Sequence, residues 1–181
     1  MSRLTIPPRD DVPEASKPIL DAVHKQLGVV PNMFRLIAGS PAALQGFVAN
    51  NGALTKTLDL KTRERIALAV AQVNGCDYCL SAHTYLGLNL AKLTPQEVAL
   101  NRKGESDDAK ADAAVRFAAK VVRERGHVSD ADIKTVRDAG FSDSQIVEIV
   151  AVIAENIFTN LLNIVADTDI DFPVVRAAQS A

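Results

Sequence analysis

"LDLKTRERIALAVAQVNGCDYCLSAH", residues 58–83, holds both cysteines of the chain and one of its three histidines. Asp59 stands where a helix N-cap belongs, and Ile66, Ala67, Val70 and Val73 recur on one stripe until Asn74 and Gly75 stop the pattern. A second helix is predicted to start at the cysteine pair and run to about Leu88. Neither segment alternates as a strand would, so the stretch reads as two consecutive helices around a tight turn.

The same grammar extends outwards in both directions. Pro7, Pro8 and Pro13 break regular structure and predict an N-terminal extended arm over 1–13. Ile19, Leu20, Val23 and Leu27 predict a helix over 14–27, stopped by Gly28. A short helix follows Pro31 to near Gly39, and Ser40 with Pro41 opens the next one, through Leu54. Thr94, Pro95 and Glu97 form a helix start in which Glu97 can return a capping-box bond. Further helices are predicted over 107–125, with Ala114, Phe117, Ala118 and Val121 inward, then over 129–140, and finally along "SDSQIVEIVAVIAENIFTNLLNIV". No strand or hairpin signal appears, and the expected fold is all-α, one domain over 1–181.

Composition agrees with that reading. Hydrophobic residues make up 48% of the 181 residues but aromatics only 4%, so the core must be built from close-packed Ala, Val, Leu and Ile. A net charge of −2, spread in mixed runs, leaves no basic footprint for nucleic acid or an anionic membrane. The apolar stretch 145–166 is long enough to span a bilayer but carries Glu148, Glu155, Asn156, Asn160 and Asn163, each costly in hydrocarbon. It reads as a buried or interfacial helix, with the three asparagines forming a polar stripe at a subunit contact, at a pocket or towards solvent. The N-terminal residues lack the apolar run of a secretory signal, which predicts a cytoplasmic, reducing compartment.

In such a compartment two close cysteines point to redox or metal chemistry. On a helix Cys76, Cys79 and His83 share one edge, and an i, i+3 pair in a first turn lies within reach of a disulfide. The start of a helix favours thiolate over thiol. His83 can take the thiol proton, and if the two helices pack antiparallel, Glu64 can orient its imidazole. These parts fit attack of a thiolate on a peroxide, a sulfenic acid, and its capture by the second thiol. A thioredoxin-like reading needs a sheet that is missing here. A zinc site would need Glu64 as fourth ligand to three turn-spaced groups on one helix, a poor tetrahedron, so no metal is expected. Inert buried thiols are the bland alternative, and His24 and His127 read as surface groups.

The pattern "ERIALAVAQVNGCDYCLSAH" resembles the active-site signature of the alkylhydroperoxidase D family, within the carboxymuconolactone decarboxylase-like superfamily. "VVPNMFRLIAGSPAALQGF" is similar to the N-terminal half of the peroxidase-related branch. The resemblance implies a helical bundle assembled into trimers or hexamers, and thiol-dependent reduction of organic hydroperoxides or hydrogen peroxide. It implies no cofactor beyond a redox-active Cys76–Cys79 disulfide. Carried over by position, Cys79 is the peroxidatic thiol and Cys76 the resolving thiol that meets an external thiol or dihydrolipoyl-type reductant. His83 is then the proton shuttle and Glu64 its carboxylate partner. Tyr78 replaces a histidine of the best-known members and is expected to shape the pocket or simply to pack. Two alternatives remain: a carboxymuconolactone decarboxylase-type lyase, whose members generally lack the cysteine pair, and a non-enzymatic redox-sensing oligomer.

Overall fold

Residues 2–178 are described by a computed structural model, and among them the chain is helical with no strand. Nine α-helices follow in order: α1 Lys17–Leu27, α2 Asn32–Ala38, α3 Pro41–Leu54, α4 Leu60–Asn74, α5 Asp77–Asn89, α6 Pro95–Lys103, α7 Ala109–Arg123, α8 Asp130–Asp138 and α9 Asp143–Ala166. Most starts are set by side-chain caps: Ser40, Asp59, Thr94, Asp108, Ser129 and Ser142 each accept a backbone N–H in the first turn of their helix.

The helix read first from the sequence, α4, is the axis of the bundle and packs against α5, α6, α7 and α9. Its expected stripe is only part of what is buried, because Leu68, Ala69 and Ala71 are enclosed as fully as Ile66 and Val70. Small side chains let neighbours close on every side, and a helix enclosed all round is a core helix. On one flank Ile66 and Val70 meet Ala114, Phe117 and Ala118 of α7 and Ile149, Val152 and Ile153 of α9. On the other, Leu68 and Ala71 meet the start of α5 and Val98 of α6.

Three boundaries differ from the expectation. The helix predicted over 14–27 begins at Lys17, after a 3-10 turn Glu14–Ser16, because Pro18 in the first turn cannot continue a helix from further back. The helix predicted over 107–125 begins at Ala109, since Asp108 is spent as its cap, and ends at Arg123. Thr94 caps α6, but Glu97 does not close a box with it. Its buried carboxylate instead accepts from Arg65 Nε at 2.7 Å, Asn101 Nδ2 at 3.0 Å, Ser106 Oγ at 2.5 Å and the Asp107 N–H at 3.0 Å. One carboxylate thereby ties α4 and α6 to the loop that leads into α7.

The N-terminal arm runs extended apart from a 3-10 turn at Arg9–Asp11 and seats Val12 among Leu20, Ile37, Ala38 and Leu44. α9 buries Ile146, Ile149, Val152 and Ile153 and exposes an opposite stripe, in which Val147 is 69%, Leu161 55% and Val165 61% accessible. By length and composition alone α9 could cross a membrane, with mean hydropathy 1.8; 44% of that window is buried within the protein.

Candidate active site

The turn between α4 and α5 sets the site. Gly75 closes α4 at φ 70°, a left-handed conformation that a side chain would strain. The next residue, Cys76, is the N-cap of α5: its sulfur accepts the Cys79 N–H at 3.3 Å. Cys79 thus lies in the first helical turn and His83 one turn further along the same edge. The two helices pack closely enough for Glu64 Oε2 to stand 2.9 Å from His83 Nδ1, as the antiparallel arrangement requires. Glu64 is 7% exposed, so this pair is largely withdrawn from water.

Both cysteines are free thiols, buried to 1% and 2% exposure. They do not share the lowered pKa expected of both. A hydrogen bond from the Cys76 thiol, the charge on His83 and the amides of Asn163 and Asn160 together outweigh burial and push Cys79 down to about 6. Cys76 moves the other way, because it is the partner that holds its proton against the Cys79 thiolate and is itself buried. One negative charge is therefore placed on one sulfur. For His83, burial opposes the charged ring, but the Glu64 carboxylate and the Cys79 sulfur prevail and raise its pKa. Each group thus favours the charged form of the other, thiolate on Cys79 and imidazolium on His83.

Cys79, His83, Glu64 and Tyr78 border a cavity of about 250 Å³. Its other walls are largely apolar, including Phe34, Phe47, Leu54, Leu86, Leu90 and Phe172. Glu155 enters from α9, accepting from Asn50 Nδ2 and Asn51 Nδ2 at 2.6 Å each, and burial raises its pKa. Cys76 does not line this cavity.

Cys76 is covered from another side. Residues 169–178 return across the start of α5 as a strap: Val175 N–H donates to Ser81 Oγ at 2.9 Å, and Ala177 N–H and Arg176 Nη1 donate to Asp77 at 2.7 and 2.8 Å. Ile170, Phe172, Val175 and Ala177 pack on the cluster that contains both cysteines. Tyr78 is the centre of this arrangement, buried to 4% exposure. Its hydroxyl donates to Asp171 Oδ1 at 2.8 Å and accepts from the Met33 N–H at 3.1 Å, while Phe172 sits edge-on at 5.9 Å. The other carboxylate oxygen of Asp171 accepts the Asn32 N–H at 2.7 Å. Tyr78 therefore both lines the pocket and packs, with its proton held by Asp171.

The structure brings together all four residues singled out from the spacing, Glu64, Cys76, Cys79 and His83, and puts Tyr78 beside them. His24 and His127 are exposed. The polar stripe on α9 turns to the site rather than to solvent: Asn163 Nδ2 lies 3.4 Å from Cys79 Sγ. Sequence reasoning missed that Asn163 touches the sulfur, and missed Glu155 and the strap altogether. The asparagine spacing was a visible signal, whereas "DIDFPVV" has no periodicity to read. Among the described residues no group of three or more His, Cys, Asp or Glu could hold a metal ion.

Residues 41–124 match the model of the carboxymuconolactone decarboxylase family, a span that contains the whole helical hairpin formed by α4, α5 and the turn between them. No curated relative matches by sequence. Among solved structures, an alkylhydroperoxidase AhpD core, a peroxidase-related protein from Ralstonia eutropha, is 26% identical with TM-score 0.84, covering 94% of this chain and 92% of that one. A peroxidase-related protein from Silicibacter sp. is 28% identical with TM-score 0.81, covering 93% and 91%. The debrominase Bmp8 bound to 2,3,4-tribromopyrrole, 21% identical with TM-score 0.79 and covering 94% of each chain, shares the fold.

Proposed function

We propose that the chain, whose residues 41–124 match the carboxymuconolactone decarboxylase family and whose fold is that of peroxidase-related proteins, is a member of the peroxidase-related branch of that superfamily and, from that premise, a thiol-dependent peroxidase acting on organic hydroperoxides. The observation that carries the reading is that Glu64, paired with His83 at 2.9 Å, and Cys79 line one largely apolar cavity, with Cys76 adjoining as the N-cap whose sulfur accepts the Cys79 N–H.

The Cys79 thiolate attacks the distal peroxide oxygen. The S–O bond forms as the O–O bond breaks, and the electron pair leaves on the alkoxide, which takes the His83 proton. Sulfur loses the two electrons that the peroxide gains. Glu64 keeps the imidazole oriented and supports its charge until that transfer. The Cys76 thiol then attacks the sulfenic sulfur, expelling water and closing a Cys76–Cys79 disulfide. An external thiol or dihydrolipoyl-type donor restores both thiols by exchange at Cys76. No cofactor beyond that disulfide takes part. Apolar walls around about 250 Å³ suit a compact organic hydroperoxide better than the small, strongly hydrated hydrogen peroxide. We further propose a cytoplasmic homo-oligomer, trimer or hexamer, in which the exposed stripe of α9 meets a second copy.

The test is intact mass of the reduced protein titrated with cumene hydroperoxide. Loss of two hydrogens in the wild type, gain of one oxygen in Cys76→Ser, and no change in Cys79→Ser is the expected set. An unreactive wild type would remove the peroxidase reading.

A further inference from the structure

α9 sends three buried asparagines towards the hairpin, Asn156, Asn160 and Asn163, at 7%, 0% and 3% exposure. Their hydrogen bonding is uneven. Asn156 Nδ2 is used within its own helix, donating to Val152 O at 2.9 Å. Asn163 Nδ2 donates both to Thr159 O at 2.9 Å and to Cys79 Sγ at 3.4 Å. Asn160 is fixed through its oxygen, which accepts from Asn74 Nδ2 at 2.8 Å, and that bond fixes its amide plane. Its Nδ2, fully buried, reaches no acceptor at full hydrogen-bond geometry, although the amide lies close enough to Cys79 to favour charge there, and Asn163 Oδ1 is without a partner.

A buried amide left unpaired costs about 1–3 kcal/mol, so such a group calls for an explanation. A neutral thiol is a weak acceptor and offers little. A thiolate, or the oxygen of a sulfenate, offers a full charge. Donors fixed in advance around the atom where charge resides need no reorganisation when that charge appears or moves.

We propose that the Asn160 and Asn163 side-chain amides form an anion cradle for Cys79, holding its thiolate before reaction and the sulfenate oxygen after it. The second state rests on the peroxidase reading; the first does not. Asn163 touches the reacting sulfur and is a catalytic residue in that sense. Asn74, by holding Asn160, is a positioning residue. The other charged or titratable groups around Cys79 are Cys76 at the N-cap of α5, Tyr78 and His83 on α5, Glu64 on α4 and Glu155 on α9, with Arg63 next to Glu155. All but Cys76 stay in place in the test, and Cys76 is changed identically in every variant compared.

The experiment uses Cys76→Ser, which leaves one thiol and keeps a hydroxyl donor beside it, and follows thiolate absorbance against pH without peroxide. Asn163→Leu and Asn160→Leu are expected to raise the midpoint, by about one pH unit for a lost charge-assisted bond. The near-isosteric Asn163→Asp, which adds a second negative charge, is expected to raise it further. Asn156→Leu, which alters the same stripe at an amide whose bond goes to Val152 O and not to the sulfur, is expected to leave it unmoved. Unchanged midpoints in folded Asn163 and Asn160 variants would overturn the proposal, as would an equal rise in Asn156→Leu. A second readout needs no asparagine variant: the side-chain amide resonances of Asn160 and Asn163 should titrate with the Cys79 midpoint, and that of Asn156 should not. Amide resonances that ignore the thiol would overturn it independently. A titrating cradle in a protein that consumes no peroxide would sink the peroxidase reading and leave the thiolate cradle standing.

Discussion

At the scale of single residues, the chemistry depends on where two protons sit. Cys79 is held down to about 6 by the Cys76 thiol, His83 and the asparagine amides, and His83 is held up by Glu64 and the thiolate. The sign of the pH dependence follows. The thiolate, and with it kcat/KM for cumene hydroperoxide, is lost as pH falls through about 6, and the acid is lost as pH rises through the elevated midpoint of His83. A bell-shaped profile is expected. Glu64→Gln removes the charge that raises His83, so the alkaline limb should move down, and kcat/KM should fall roughly 100-fold, at the low end of what general acid–base catalysis contributes. An alkaline limb that stays in place in Glu64→Gln would show that Glu64 has no part in the relay. Tyr78 contributes nothing to either limb, since burial and the carboxylate of Asp171 raise its pKa far above the working range.

At the scale of elements, the bundle depends on a polar tie as well as on its apolar core. Glu97 joins α4, α6 and the loop before α7, and although burial resists its charge, the bonds from Asp107, Ser106 and Asn101 pull it down to about 2. Its folded pKa lies below its unfolded one, so it stabilises the protein above the unfolded value near 4.5 and the contribution fades as pH falls towards 2. Glu97→Ala strands the Arg65 guanidinium, which is expected to cost about 3 kcal/mol and to lower the melting temperature by roughly 10 °C at neutral pH. The deficit should shrink in acid, and calorimetry across pH checks both points. The helices themselves were legible because their caps and stops are local: Asp59, Ser40, Thr94 and Gly75 act within a turn of where they stand. Glu64, Cys76, Cys79 and His83 were legible for a related reason, since three share one helix and the fourth sits across one tight turn. Glu97 was misread because its partners come from two elements and a loop, and a capping-box pattern says nothing of such neighbours. The enclosure of α4 was hidden because alanines on its other faces look neutral in any periodicity.

At the scale of the whole molecule, one side of α9 serves the site and the opposite side faces outwards with Val147, Phe158, Leu161 and Val165 exposed. If that stripe is the contact between copies, Leu161→Asp should turn the assembly into monomers by light scattering while preserving the helical spectrum. A wild-type chain that is already monomeric would contradict the proposed assembly. The strap has a consequence of another kind, in the order of synthesis. Tyr78 and Asp171 stand 93 positions apart, and at ribosomal rates of about 5–20 residues per second the cysteines are made roughly 5–20 s before the residues that cover them. During that interval the growing chain carries two uncovered thiols, without the α9 asparagine, Asn163, that touches Cys79. The nascent protein is thus exposed to the oxidants its finished form would consume, and the part of the Cys79 environment that α9 contributes arrives only when the last helix folds against α5.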